Sequence, residues 1–325
     1  MHMADALVSP AVAAVAGAAA ASLIAVAATK VKKIRRDDIV PLMGVMGAFV
    51  FAAQMINFTI PGTGSSGHVI GGVLLAAVVG PWAGFLTLCS VLIIQCLVFA
   101  DGGLMALGCN ILNMAATSCL IGYPLIFKPL AGRSTRPLRL IAASVVASVV
   151  ALEIGALGVT FETEISGVTA LPTSTFLAFM LPIHLAIGAV EGIATGAVLA
   201  FIGRYRPETL YNYPIRPASQ PPSAGGRRSR KVIWGFVAAA VVLAAGFTWL
   251  ASAYPDGLEW SIEKASGLTD LPSAMAPTAI MPDYNSTFAG IIGATIVMIM
   301  LWAITTLLLR RHVKPQTAAK GNRDR

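Results

Sequence analysis

The sequence predicts an all-α protein that crosses a membrane many times, with about seven spans in an N-terminal module and two in a C-terminal one. Three observations carry this. The 325 residues are 56% hydrophobic and only 12% charged, with a mean hydropathy of +0.77, more apolar material than a soluble domain of this length needs. The apolar residues come in runs near the roughly 20 residues that cross a bilayer core. Finally, every one of the 23 Lys and Arg residues except Lys264 falls in a block at 30–36, 128–139, 204–231 or 310–325. Those blocks all lie on the side that the positive-inside rule assigns to the cytoplasm. The formal net charge of +8 therefore reports orientation against lipid and does not suggest a nucleic-acid partner.

Residues 11–29 form the first span. No basic residue precedes it and Lys30, Lys32, Lys33, Arg35 and Arg36 follow it, the reverse of a signal peptide. The N-terminus is expected to be retained outside. Residues 39–57 cross back, carrying Gln54 and Asn57. The Gly-rich loop from Thr59 to His68 is then outside. Residues 69–80 are too short for an ordinary span and end at Gly80-Pro81, so 69–100 reads as two helices meeting at Pro81, the first starting deep in the protein. A helix over 104–127 goes inward, 140–159 returns to an acidic loop with Glu162 and Glu164, and 175–202 carries His184 and Glu191. The Pro/Ser/Gly/Arg composition of 206–230 marks a cytoplasmic linker between modules 1–205 and 231–325. The second module has spans at 232–252 and 288–309 around an outer segment with Asp256, Glu259, Glu263, Asp270 and Asp283. The C-terminus is expected in the cytoplasm.

Certain residues point to chemistry. At Met1-His2, an amine, a deprotonated amide nitrogen and imidazole Nδ1 would close a five- and a six-membered chelate ring on one metal. Three in-plane nitrogens favour Ni(II) or Cu(II), and His68 can supply a fourth. A second-position His can equally belong to a loose terminus, and His68 among glycines can equally cap a loop. His184 and Glu191 lie two turns apart on one helix face, where intramembrane ionisable groups are functional hypotheses. Asp101, Asn110, Asn113 and Gln95 are of the kind that orient ligands. Glu153 has no evident partner. Gly188, Gly192 and Gly196 form a small-residue face for internal packing or for docking another subunit. His312 lies in the cationic tail. Cys89, Cys96, Cys109 and Cys119 all sit in apolar runs without a CxxC pair, which favours packing over disulfides. No phosphate-binding loop motif and no Ser/His/Asp or metal-protease pattern occurs, so no catalytic residue and no resident cofactor is expected.

Four motifs carry a resemblance: Met1-His2-Met3-Ala4-Asp5-Ala6-Leu7-Val8-Ser9-Pro10; Ser66-Gly67-His68 with Gly71-Gly72; the run from Asp101-Gly102-Gly103 to Asn113-Met114; and the run from Pro182-Ile183-His184 to Glu191-Gly192. Together, over about residues 1–205, they resemble the CbiM/NikM family of cobalt/nickel substrate-binding (S) components of energy-coupling-factor transporters. Tyr254-Pro255-Asp256-Gly257-Leu258-Glu259-Trp260 resembles the PDGLE module often fused to them. The resemblance implies a transported Ni2+ (or Co2+) held by the Met1 amine, the His2 amide and imidazole, and the His68 imidazole. His184, Glu191, Asp101 and Asn110 would support those ligands. It also implies a transmembrane coupling subunit and two cytoplasmic ATPase subunits as partners. The family commonly has Glu-Gly where this chain has Asp5-Ala6, which bears on loop packing. Two other classes compete: a membrane-embedded metalloenzyme using His68, His184 and Glu191, and a secondary transporter or channel.

Overall fold

The computed structural model describes residues 1–34, 36, 38–211, 225–247, 251–267 and 287–310. The helices are α1 (Pro10–Val31), α2 (Ile39–Gln54), α3 (Gly72–Val79), α4 (Pro81–Phe99), α5 (Leu107–Ala131), α6 (Pro137–Ser166), α7 (Thr173–Tyr205), α8 (Gly225–Val242, continued over Leu243–Phe247), α9 (Gly257–Ser266) and α10 (Thr287–Arg310). Six of them are long and apolar enough to cross a membrane, and two shorter apolar helices lie over Ile39–Gln54 and Ile233–Gly246.

The break at Gly80-Pro81 has a clear physical cause. Gly80 has φ +93, open to glycine and costly to other residues, and Pro81 starts α4 at the position where a missing N–H is harmless. Helix α3 is only eight residues long and wholly buried. A Cβ at Gly84 would stand 2.8 Å from the Ala76 nitrogen, so α4 folds back tightly on α3. The carbonyls at the end of α3 would otherwise be orphaned. Arg36 Nη1 donates to the Val78 carbonyl at 3.0 Å and the Tyr211 N–H donates to the Ala77 carbonyl at 2.8 Å.

Helices α6 and α7 form the most extensive interface. Gly188, Gly192 and Gly196 face Val149, Val145 and Ile141 across it, leaving no room for a side chain. The small-residue stripe thus serves internal packing. Helices α8 and α10 pack on α2, where Gly44 and Gly47 admit Met298 and Leu301.

Several expectations need correction. Glu162 and Glu164 lie in the last turns of α6, which runs to Ser166. The helix ends only at Gly167, in the left-handed conformation, and Asn113 Nδ2 donates to the Glu162 carboxylate at 2.6 Å. The Gly-rich outer loop contains a hairpin of β1 (Phe58–Ile60) and β2 (Ser65–Gly67), paired antiparallel with Thr59 opposite Ser66. Helix α8 begins at Gly225, inside the stretch expected to be a linker, and Pro207–Thr209 forms a 3₁₀ turn before it. The outer segment after α8 is not all loop, because α9 occupies 257–266. Lys264, the one cation outside the basic blocks, sits in the last turn of α9, where the helix dipole favours it. Arg35, residues 212–224 of the linker, Asp270, Asp283 and the tail from 311 with His312 lie outside the described residues.

Candidate metal centre

The site is built from three segments remote in sequence. The first is the head, residues 1–9. Met1, Met3, Leu7 and Val8 are buried ahead of Ser9-Pro10, where the Ser9 Oγ accepts from the Val12 N–H and Pro10 opens α1. Asn110 grips the head through both of its amide atoms: Met3 N–H donates to Oδ1 at 2.7 Å, and Nδ2 donates to the Met3 carbonyl at 3.2 Å. The Gly103 N–H adds a bond to the same carbonyl at 2.8 Å. Asp5 Oδ1 accepts from the Met105 and Ala106 N–H groups just ahead of α5, so the Asp5-Ala6 departure keeps a working carboxylate there. The Met1 side chain seats on Gly155, where a Cβ would come within 2.8 Å of its Cε.

The second segment is the hairpin and the descent after it. His68 follows β2 directly. Two and three residues further on, the Ile70 and Gly71 N–H groups donate to the two carboxylate oxygens of Glu191 at 2.9 and 3.0 Å. Gly71 has φ +76, the left-handed turn that ends the loop and starts α3. Glu191 is wholly buried and spends both oxygens on backbone, the pairing that makes a buried carboxylate tolerable.

The third segment comes from the C-terminal module. The Ser66 N–H donates to the Pro255 carbonyl at 2.8 Å and the Ser66 Oγ to the Tyr254 carbonyl at 2.7 Å, which sets residues 254–256 alongside β2 as a short added strand. Trp260 Nε1 donates to the Thr63 carbonyl at 3.0 Å. Asp256 and Glu259 form a reciprocal capping box at the start of α9. Gly257 fits because it has no side chain. A Cβ there would lie 2.8 Å from Ile187 Cδ1 and 3.2 Å from His184 Cε1.

Where these segments meet, the Met1 amine donates to Asp256 Oδ2 at 2.7 Å and His2 Nδ1 lies 3.1 Å from Asp101 Oδ1. The His2 and His68 rings are parallel within 8°, with centroids 5.2 Å apart. Burial lowers the His2 imidazole below its ordinary range against the opposing pull of Asp101. Burial, then the charges of the N-terminal amine and His2, hold His68 lower still. Both rings are therefore neutral near pH 7, with lone pairs to offer. Burial alone would raise the Asp256 carboxyl, but the neighbouring amine and His68 keep it low and ionised. Its charge, followed by burial, pushes Glu259 up to about 7.

Met1, His2, His68, Asp101 and Asn110 thus converge, and Glu191 supports the His68 loop from below. His184 stands beside them on α7. Its Nδ1 meets the Met180 carbonyl at 2.8 Å and it lies against Gly257. Among the described residues no three His, Cys, Asp or Glu side chains are grouped to hold a metal, so the alternative centre of His68, His184 and Glu191 is not assembled. Glu191 is already committed to backbone. Two participants were missed in the sequence. Asp256 was read as an outer acid and as part of the PDGLE motif but not as a member of the site, although Asp256-Gly-Leu-Glu259 ahead of an amphipathic stretch is a capping-box signature. Gln54, whose Nε2 donates to the Ile70 carbonyl two residues after His68, carried no signal beyond being a polar residue in an apolar run.

Apolar helices enclose a chain terminus, two neutral imidazoles and their carboxylate partners in a multi-pass membrane protein, and its relatives are transport proteins. The chain belongs to the CbiM family, the cobalt uptake substrate-specific transmembrane region, whose model matches residues 2–209. A PDGLE domain matches residues 230–310. The fused protein NikMN of Archaeoglobus fulgidus is 30% identical over 314 residues, covering 94% of this chain and 98% of that protein. The fused nickel transport protein NikMN of Rhodobacter capsulatus is 30% identical over 267 residues, 77% of this chain and 74% of the other. A crystal structure described as a truncated transition metal transporter is similar at 32% identity and a TM-score of 0.55. That match covers 63% of this chain and 99% of that one.

Proposed function

We propose that the chain is the substrate-capturing S component of an energy-coupling-factor importer for Ni2+ (or Co2+). The metal binds at the extracytoplasmic N-terminus through the Met1 amine, the His2 amide and imidazole, and the His68 imidazole. The observation that carries this reading is the burial of the Met1 amine, His2 and His68 in one place, with parallel rings 5.2 Å apart. Capture exchanges partners: the amine leaves Asp256, His2 Nδ1 leaves Asp101, and the ion takes both. The amine and the amide each give up a proton, so retention weakens as pH falls. A planar set of four nitrogens suits Ni(II) better than Co(II), and the relative from Rhodobacter capsulatus is named a nickel transport protein. Membership in a cobalt uptake family keeps Co2+ as the second substrate.

In this reading residues 1–205 form the metal-binding module, 206–230 a cytoplasmic linker and 231–325 the PDGLE module, which closes Asp256 over the captured ion. The basic blocks support the reading that the N-terminus lies outside and the C-terminus in the cytoplasm. Energy comes from a transmembrane coupling subunit and two ATPase subunits, since this chain carries no phosphate-binding loop motif. The test is Ni(II) and Co(II) titration of the purified chain against a version with residues added before Met1. The extension is expected to abolish tight binding, by about 100-fold or more. Unchanged binding would remove the terminal amine from the ligand set and sink the proposal.

A further inference from the structure

Buried carboxamides are costly inside a membrane protein unless every polar atom has work, and two of them lie between the proposed ligands. Gln54, the last residue of α2, and Gln95 on α4 are 1% and 0% exposed. Gln95 Nε2 donates to Gln54 Oε1 at 2.7 Å, and Gln54 Nε2 donates to the Ile70 carbonyl at 2.8 Å. The peptide that carries this carbonyl is then held from its other side by Glu191, which accepts from the Gly71 N–H at 3.0 Å and from the preceding Ile70 N–H at 2.9 Å. At the opposite end the Gln95 side chain lies beside the His2 imidazole. A continuous buried chain of hydrogen bonds therefore runs from Gln95 on α4 through Gln54 on α2 and the descending loop to Glu191 on α7, with His2 beside its first member.

We propose that Gln95 and Gln54 are positioning residues of the metal site, fixing the loop that bears His68 relative to His2 so that one ion meets both imidazoles. The proposal rests on the reading of Met1, His2 and His68 as ligands. Its physical basis is that the two imidazoles belong to segments 66 positions apart in sequence, roughly, with no covalent reason to share a plane; buried hydrogen bonds of fixed direction supply one. A metal-bound imidazole needs its second nitrogen oriented, and Gln95 is the carboxamide beside His2. Gln54 transmits that register to a peptide only two residues from His68.

The experiment titrates the purified full-length chain with Ni(II) and follows both affinity and the visible absorption of the bound ion. Gln54→Leu and Gln95→Leu, close in volume, are each expected to weaken binding by about 10- to 100-fold. Each is also expected to shift the absorption band of the planar four-nitrogen ion as His68 drops out. Because the two act in one chain, the double variant is expected to lose no more than the worse single one. Gln54→Asn keeps the amide but is too short for both partners, and it gives the same spectral shift if Gln54→Leu does not fold. The chain extended before Met1 is measured alongside. If that chain binds Ni(II) normally, the ligand assignment itself fails. If it loses the metal while the Gln variants keep wild-type affinity and spectrum, or lose affinity additively with an unshifted band, the positioning role is overturned and the ligand assignment stands.

Discussion

Helices α1 and α4 have the same mean hydropathy, 2.2 over their most apolar 18 residues, yet 17% of that window is buried in α1 and 78% in α4. Helix α4 is surrounded by α1, α2, α3, α5 and α10 and is held by packing along its whole length. Helix α1 buries fully only a stripe of Ala16, Ala20, Ala27 and Val31, with Val12, Leu23 and Ile24 partly packed beside them, and adds the polar grip on its head. Hydropathy decides that a segment enters the membrane. It does not decide what the segment touches there.

The sharpest way to break this contrast is to cut the head's ion pair. Asp256→Asn leaves the buried Met1 amine without its carboxylate and should cost about 3 kcal/mol. It would be read as a roughly 100-fold loss of exchange protection at the Ser66 and Met3 amides, with the α4 amides unmoved. Unchanged protection at Met3 would mean that Asn110 alone holds the head. A smaller effect tests the stripe. Ala16 is buried where α5 comes close, since a Cβ at Gly108 would lie 2.7 Å from the Ala16 carbonyl carbon. Ala16→Leu should therefore destabilise by about 2 kcal/mol, whereas Ala18→Leu on the exposed face should stay within about 0.5 kcal/mol. Both add the same hydropathy, so equal shifts in thermal unfolding would show that the stripe does not hold α1.

The smallest effect is on pH. His2 and His68 have lowered pKa values in the fold, so they stay neutral while the unfolded chain takes up protons below about 6.5. The stability they contribute is present above that pH and is lost as pH falls towards their native values, by at most about 1.4 kcal/mol per pH unit for each ring. Asp256 works in a lower window. Its lowered pKa keeps its contribution intact above its ordinary value of 3.8. Between pH 7 and 5 the metal-free head should therefore loosen only modestly, because Glu259, raised to about 7, takes up a proton in the fold before it does in the unfolded chain and so opposes the histidines, and α4, which has no Asp, Glu, His, Lys or Arg, should not respond. Equal loss of protection in both regions would erase the distinction between them.

What the sequence made legible follows the same division. The spans, the break before Pro81 and the small-residue face at Gly188, Gly192 and Gly196 were readable because period, length and glycine placement act locally. The hairpin was not, because three-residue strands are too short to show alternation. The direction of the glycine face was also hidden, since a small-residue stripe looks the same whether it meets α6 or another protein. At the site, Met1, His2 and His68 stood out by residue type and position. The roles of Asp256 and Gln54 depend on contacts across 255 and 16 positions, and the Gln54 side chain announces nothing by itself.

Ile187 on α7 lies against two glycines from different modules: a Cβ at Gly67 would stand 2.6 Å from its Cγ1, and one at Gly257 2.8 Å from its Cδ1. The strand-like join between Ser66 and Pro255 uses a backbone N–H and a backbone carbonyl, so most side chains along it are free to drift over evolutionary time. Those two glycines are not. Natural selection on the steric fit at this join should therefore be written in positions 67, 187 and 257, where a larger residue at one is admissible only if another shrinks.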